Sequence, residues 1–117
     1  NVWFRSDRLV MIGFKSGARI NRKDVTDLYR CIKEEHGSDK MSVVMDLKSA
    51  LYITRNARLH LTEEDWLGMT VALALVVNHA DNRWVTELLQ ETAMPSQAFE
   101  TEEEATVWAK RSLRMVA

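Results

Sequence analysis

Two apolar runs in the middle of the chain constrain its fold more than any other feature. They read MSVVMDL, at residues 41–47, and TVALALVV, at residues 70–77. Both have the length of a strand and are nearly apolar throughout, which is typical of strands covered on both faces of a sheet. A buried helix could produce the second run as well, but its three valines and the preceding Gly68 favour a strand.

An amphipathic helix is predicted before the first run. It begins at Asn21, a preferred N-cap residue, carries Asp24 in its first turn and ends at Gly37. Its apolar stripe recurs at helical spacing and consists of Val25, Leu28, Tyr29 and Ile32.

The segment between the two runs is less regular. A helical pattern starts at about Arg55 and ends at Gly68, and Thr62 with Asp65 has the form of a second cap inside it. One bent helix and two short helices would both explain this pattern.

The two ends of the chain complete an alternating order. Residues 2–5 and 8–15 predict two short strands, and Asp81 is a candidate cap for a helix that follows the second run. SQAF, at residues 96–99, fits a short last strand, and Thr101 with Glu104 forms a capping box for the terminal helix. The order β-β-α-β-α-β-α-β-α predicts an α/β fold with a mixed, mostly parallel sheet covered by helices, in a single domain at residues 1–117.

Charge and cysteine content limit the functional classes. The net charge is −1 and the basic residues are dispersed, so neither nucleic acid nor a membrane is an expected partner. The single cysteine, Cys31, allows no intramolecular disulfide, which suits a reducing compartment and favours a cytoplasmic location. The longest apolar run, residues 71–77, is shorter than the ~18 residues that a membrane span needs. The sequence starts at Asn1 rather than at a methionine, so removal of a leader peptide stays an alternative.

The segment VVMDLKSALYITRNARLHL, at residues 43–61, resembles the central segment of the STAS, or SpoIIAA-like, family. In that family a hydrophobic strand ends in Asp-Leu, a small loop follows, and an Ile-Asp-Ser-Ser-Gly-Leu motif opens a helix. Asp46 and Leu47 match the strand end, Ile53 matches the Ile, and residues 54–57 match Asp-Ser-Ser-Gly. MPSQAFETEEEATVWAK, at residues 94–110, is similar to the tail of uncharacterised bacterial STAS-like domains. The resemblance implies a SpoIIAA-like fold.

The departures from the family motif bear on regulation. In classical anti-sigma factor antagonists the second serine accepts a phosphate, which adds nearly two negative charges and ejects the partner kinase. Here Asn56 stands at that position and Arg55 at the preceding serine, while Thr54 carries the hydroxyl in the family's Asp position. The classical phospho-switch is therefore predicted to be absent, and Thr54 is the motif's remaining hydroxyl.

Ligands of open α/β sheets lie outside the carboxyl ends of the strands. The sequence therefore predicts a rim there, as a polar pocket or partner surface. The rim consists of Asp46, Lys48, Ser49, Thr54, Arg55, Asn56, Asn78, Asp81 and Arg83. The structural alternative for Asp46 is that it caps a neighbouring turn or pairs with Arg55 or Arg83.

No catalytic, metal-binding or cofactor-binding constellation is visible. His36, His60 and His79 lack metal-ligand spacing and are interpreted as surface or helix-end residues. Cys31 has no evident histidine partner, and no phosphate-binding or nucleophile motif occurs. We therefore expect no enzyme, no metal and no cofactor.

Two functions are favoured, and an enzyme of unknown type ranks a distant third. The first is a non-catalytic protein-interaction or regulatory module, which docks a protein partner or forms a homodimer through the rim and the second helix. The second is a domain that binds a small apolar or lipid-like ligand, because folds related to the SpoIIAA-like fold include lipid-carrying CRAL-TRIO domains and methionine-rich interiors repack easily. The methionines concerned are Met11, Met41, Met45 and Met69. The alternative for them is that they simply fill a core.

Overall fold

The structure, a computed structural model, describes residues 2–4, 8–37, 40–78, 83–92 and 94–115. Its elements, in chain order, are β1 (Val2–Phe4), β2 (Leu9–Gly13), β3 (Arg19–Ile20), α1 (Arg22–His36), β4 (Met41–Asp46), β5 (Tyr52–Ile53), α2 (Arg55–His60), α3 (Glu64–Met69), β6 (Thr70–Val76), α4 (Arg83–Glu91), β7 (Ser96–Phe99) and α5 (Glu102–Met115).

A five-stranded sheet in the order β1-β2-β4-β6-β7 forms the centre of the molecule. β1 is antiparallel to β2, and every other neighbouring pair is parallel. β6 is buried along its whole length, as the second apolar run predicted for a strand covered on both faces. The mixed, mostly parallel α/β fold predicted from the sequence is confirmed.

Helices cover the two faces of this sheet unequally. Buried side chains of α1, α2, α3 and α4 join one large cluster that contains Val10, Val43 and Leu73. A smaller cluster on the opposite face contains Val44, Ala74 and the buried alanines of α5. Because successive strand residues point to opposite faces, β4 and β6 contribute alternate residues to the two clusters. The continuous apolar runs are thus explained by burial on both sides.

The predicted ends of α1 are confirmed. The Asn21 side chain accepts a hydrogen bond from the Asp24 backbone N–H, and the Asp24 carboxylate accepts one from the Asn21 N–H, both at 2.9 Å. Gly37 ends the helix with a φ of +62°, a left-handed conformation that costs glycine little.

The irregular helical segment between the two apolar runs forms two short helices, α2 and α3. The cap predicted inside it at Thr62 is wrong. The Thr62 hydroxyl donates to the Leu59 carbonyl at 2.6 Å instead of capping the next helix. Glu63 occupies the N-cap position of α3 and makes no side-chain capping hydrogen bond. Gly68 lies within the last turn of α3, one residue before its end.

A second, two-stranded sheet was not predicted. β3 pairs in parallel with β5, with Arg19 opposite Tyr52 and Ile20 opposite Ile53. This small sheet fixes the segment that leads into α2.

The terminal helix α5 is anchored at its start and along its buried face. The Thr101 hydroxyl accepts from the Glu104 N–H at 3.2 Å, which is one half of the predicted capping box, and it donates to the Glu104 carboxylate at 2.9 Å. The buried Ser42 hydroxyl donates to the Ala109 carbonyl at 2.8 Å, which ties the helix to β4. No helix in the described ranges is long and apolar enough to cross a membrane.

Candidate functional site

The first part of the predicted rim forms where β4 and β6 end. The Asp46 carboxylate accepts a hydrogen bond from the Lys48 backbone N–H at 3.0 Å. The Asn78 side-chain amide donates to the Lys48 carbonyl, also at 3.0 Å. The structure thus brings Asp46, Lys48 and Asn78 together. Asp46 caps its own turn, which is one of the structural alternatives considered for it.

The second part of the rim lies at the start of α2. The Thr54 hydroxyl accepts from the Ala57 N–H at 3.2 Å, and the Thr54 N–H donates to the Ile20 carbonyl at 2.8 Å. Arg55 and Asn56 occupy the first turn and are exposed. Thr54 is therefore an N-cap, held beside β3. Within the described ranges, no hydrogen bond or ion pair joins Asp46 to Arg55.

Backbone hydrogen bonds connect the two parts through the loop that follows β2. The Gly17 N–H donates to the Ser49 carbonyl at 2.7 Å, and the Leu51 N–H donates to the Ala18 carbonyl at 2.8 Å. Asp81 lies outside the described residues, and Arg83 is described only as the first residue of α4. The rim is thus a continuous surface from β4 to α2, with its α4 side undescribed.

Two exposed apolar side chains lie in this surface and were missed by the sequence reasoning. Leu51 is 60% exposed and Tyr52 is 44% exposed, whereas the next residue, Ile53, is buried. The Arg19 guanidinium carbon lies 5.7 Å from the centre of the Tyr52 ring, within reach of a cation–π interaction. No apolar period marks this exposure in the sequence, because the strand that contains Tyr52 is only two residues long.

The charges around this pair are predominantly positive. Lys15, Lys48 and Arg55 are exposed on the same connected loops and helix start, and Arg19 lies over Tyr52. None of these four cations forms an ion pair with another described residue. We call Leu51, Tyr52 and these four cations the basic–apolar surface.

A charged network lies beneath α1 at the junction of α2 and α3. Arg22 contacts the Glu63 carboxylate at 2.8 Å, and His60 Nδ1 lies 3.0 Å from Glu63 Oε2. The hydrogen bond from Arg22 is the main cause that lowers the pKa of Glu63 below its ordinary value of 4.5, and the contact with His60 acts in the same direction. His60 is a helix-end residue, as predicted, but it is only 5% exposed, so a surface position is wrong for it.

The sequence matches a family of proteins over almost its whole length. A family model described as Domain of unknown function (DUF7793) matches residues 2–113. The chain belongs to this family. A search among curated proteins finds no match.

The DUF7793 chain is also similar to a solved structure. That structure is of an uncharacterised protein from the DUF3478 family with a SpoIIAA-like fold, from Shewanella loihica PV-4. The TM-score is 0.59 at 13% sequence identity, and the match covers 93% of this chain and 90% of that chain. This likeness confirms the SpoIIAA-like architecture that the central segment implied.

The described polar side chains of the DUF7793 domain are not grouped as the ligands of a metal ion. No group of histidine, cysteine and acidic residues in the described ranges could hold a metal ion, and Cys31 is exposed on α1. Four buried polar atoms near α2 and α3 have no hydrogen-bond partner among the described residues. They are Arg58 Nε, His60 Nε2, Trp66 Nε1 and Thr70 Oγ1.

The methionines named for an apolar ligand all lie in the two core clusters. Met41, Met45 and Met69 are buried in the larger cluster and Met11 in the smaller one. A separate open groove of about 420 Å³ lies between the loop after β2 and α1, with Phe14, Ile20 and Leu28 among its lining residues.

Proposed function

We propose that this domain is a non-catalytic, STAS-like interaction module that docks an acidic segment of a protein partner on the basic–apolar surface. The observation that carries the proposal is the exposure of Leu51 and Tyr52 among cations without described ion-pair partners. An apolar pair rimmed by charge is typical of a protein-binding surface. It works in a reducing compartment, which the single Cys31 supports.

The partner is acidic because of the charges it would meet. Lys15, Arg19, Lys48 and Arg55 attract carboxylates, whereas Asp46 already accepts a hydrogen bond from its own turn. Leu51 and Tyr52 supply apolar contact area that loses water on docking. The complex should therefore combine an apolar centre with a salt-sensitive rim.

Regulation in this domain does not use the classical phosphoserine. Asn56 and Arg55 stand at the two serine positions of the resembled motif, and neither can accept a phosphate on a hydroxyl. The Thr54 hydroxyl is occupied as the N-cap of α2.

The test is capture of a partner from a lysate of the source organism, followed by titration with the purified partner. Leu51→Asp and Arg55→Glu should each weaken binding about tenfold or more, because each places a like charge or an unpaired polar group in the contact. Lys110→Glu, an exposed change of the same size on α5, is the matched control and should leave the affinity unchanged. Equal affinity of the wild type and both surface variants would refute the proposal.

The groove beside α1 favours a small apolar ligand as a second function. Its apolar residues Phe14, Ile20 and Leu28 could contact a hydrocarbon body. Lys15 and Arg19 on the loop side and Asp24 and Asp27 on α1 give its lining both charges, which suits a polar head group. Native mass spectrometry of unheated protein distinguishes the two functions. A co-purified mass that disappears in Leu28→Glu supports the small-ligand function. A mass equal to that of the protein without ligand contradicts it, and protein docking is then the function that stands.

A further inference from the structure

Among the described residues, no strand pairs with the outer edge of β7, so its backbone hydrogen-bonding groups have no described partner there. β7 is the last strand of the sheet and pairs with β6 on one side only. The carbonyls of Pro95 and Phe99 accept hydrogen bonds from Leu73 of β6 and from Val77, the residue after β6. Since parallel strands alternate the residues that face each neighbour, the N–H and C=O groups of Ser96 and Ala98 point away from β6.

Within the described part of the chain, this edge strand is short, at four residues, but carries neither the charge nor the proline that usually prevents strand addition. Natural edge strands carry an inward charge, a proline or a bulge, or they are covered by other segments. β7 contains Ser96, Gln97, Ala98 and Phe99, with neither a charge nor a proline among them. Pro95 precedes the strand, and its carbonyl faces β6. The edge is therefore competent to pair with another strand.

An open groove of about 530 Å³ runs beside this edge, between β7 and α5. Gln97 and Phe99 line it from the strand, and the Phe99 ring centre lies 5.7 Å from that of Trp108. Glu103, Glu104, Val107 and Arg111 line it from the helix, and the Glu104 carboxylate already accepts a hydrogen bond from the Thr101 hydroxyl. Glu103, Val107 and Arg111 recur at intervals of about one helical turn, and Val107, in the middle, is 53% exposed.

We propose that this edge and groove are the interface of a homodimer, in which β7 of a second copy pairs antiparallel with β7 of the first. Ser96 of each copy lies opposite Ala98 of the other and exchanges both backbone hydrogen bonds with it, while the two Gln97 residues face each other on the two-fold axis. The two sheets become one continuous sheet.

The spacing along α5 is the reason for choosing a second copy over an unrelated strand. Glu103 and Arg111 lie at equal distances in sequence on either side of Val107. An antiparallel, two-fold arrangement therefore sets the acid of each copy towards the cation of the other, with the two Val107 side chains in the middle. A self-complementary charge pattern around an exposed apolar residue is what an isologous contact requires.

The interface is separate from the basic–apolar surface, so the two proposals can fail independently. Sedimentation equilibrium of the full chain gives the dimer dissociation constant. The wild type should dimerise, and Val107→Lys should weaken the dimer about tenfold or more, since it places like charges at the centre of the contact. Arg55→Glu should leave dimerisation unchanged.

Charge exchange tests the two-fold arrangement directly. Glu103→Arg and Arg111→Glu should each weaken the dimer, and the double variant should restore it, because the exchanged pair is complementary again across the axis. Lys110→Glu, a charge reversal outside the groove, is the control. A wild type that is monomeric at high concentration overturns the proposal, as does a dimer that is insensitive to both single reversals.

A cysteine at the axis tests the strand register. In Gln97→Cys with Cys31→Ser, the two new thiols lie opposite each other at a position without cross-strand hydrogen bonds, where the side chains approach closely. Mild oxidation should give a covalent dimer that keeps the folded circular dichroism spectrum of the wild type. Failure to cross-link while the protein still dimerises overturns this register, and binding of an added extended peptide by a monomeric wild type would identify a foreign strand as the occupant.

Discussion

At the scale of single residues, Glu63 connects three helices. Its carboxylate contacts Arg22 at the start of α1 and His60 at the end of α2, while Glu63 itself precedes α3. A single ion pair that is partly exposed contributes little to stability. This carboxylate nevertheless satisfies the buried ring of His60 at Nδ1, so its ionisation state affects how the three helices meet.

The pH dependence of stability should report the ionisation of Glu63. Folding lowers its pKa, so its contribution is complete above the unfolded value of 4.5 and is lost as the pH falls through the lower folded value. Glu63→Gln should therefore lower the urea midpoint at neutral pH, and the difference from the wild type should shrink as the solution is acidified below pH 4.5. Glu35→Gln, on the exposed side of α1, is the control. A difference that stays constant across this range would contradict the argument.

At the scale of elements, α2 depends on its first residue and on its neighbours. A helix of six residues is too short to be stable alone, so capping and packing must hold it. Thr54 supplies the cap, and buried Ala57 packs into the larger cluster. Arg58 donates to the Ile53 carbonyl at 3.2 Å and lies 3.6 Å from Glu87 of α4. The cap, the buried alanine and the contacts of Arg58 together fix the start of α2, which carries Arg55.

Thr54 should behave as a cap rather than as a regulatory hydroxyl. Thr54→Ala should lower the free energy of unfolding by about 1 kcal/mol, because the Ala57 N–H loses its acceptor. Thr54→Ser and Thr54→Asp keep an acceptor oxygen and should retain most of the stability. Urea denaturation measures all three. If the serine variant lost as much stability as the alanine variant, the capping role would be wrong.

The elements also show how far sequence reasoning reaches. The long strands β4 and β6 were predicted from their continuous apolar runs, and the helices α1 and α5 from their caps and apolar positions. The short strand β7 was predicted from its place between a proline and the cap of α5. The strands β3 and β5 were missed, since pairs such as Arg19–Ile20 are too short to show a period. The cap at Thr62 was misplaced because its hydroxyl bonds backwards within the preceding turn, which the sequence pattern does not distinguish.

The candidate site was predicted in part. The sequence located Asp46, Lys48 and Asn78 at strand ends, and the parallel sheet brings them together. It did not reveal Leu51 and Tyr52, whose exposure depends on the pairing of β5 with β3. The burial of His60 was missed as well, because the ragged pattern gave no inward face for α2.

At the scale of the whole molecule, the two faces of the sheet differ in how closely their helices approach. On the second face α5 lies against β4 and β6 through Ala105 and Ala109, both fully buried. The Ser42 hydroxyl reaches the Ala109 carbonyl, so backbone and strand are near each other at this point. Small side chains are therefore required where the helix crosses the sheet.

Enlarging one of these alanines should separate the layers. Ala109→Leu should lower the free energy of unfolding by about 1–3 kcal/mol, the usual cost of overpacking a filled core. Lys110→Leu adds a comparable apolar side chain at the exposed neighbouring position and should change stability by no more than about 0.5 kcal/mol. Urea unfolding measures both variants. Equal stability of the two variants would mean that the space between α5 and the sheet can accommodate a larger side chain.

The position of α5 in the chain has a consequence for synthesis. The apolar residues of β4 and β6 that face it, such as Val44 and Val76, leave the ribosome well before the helix that covers them. Until α5 emerges, the apolar residues on one face of the nascent sheet stay exposed to solvent and can bind other apolar surfaces. Slow translation of the segment that contains α5 should therefore increase the share of newly made chains that require a chaperone.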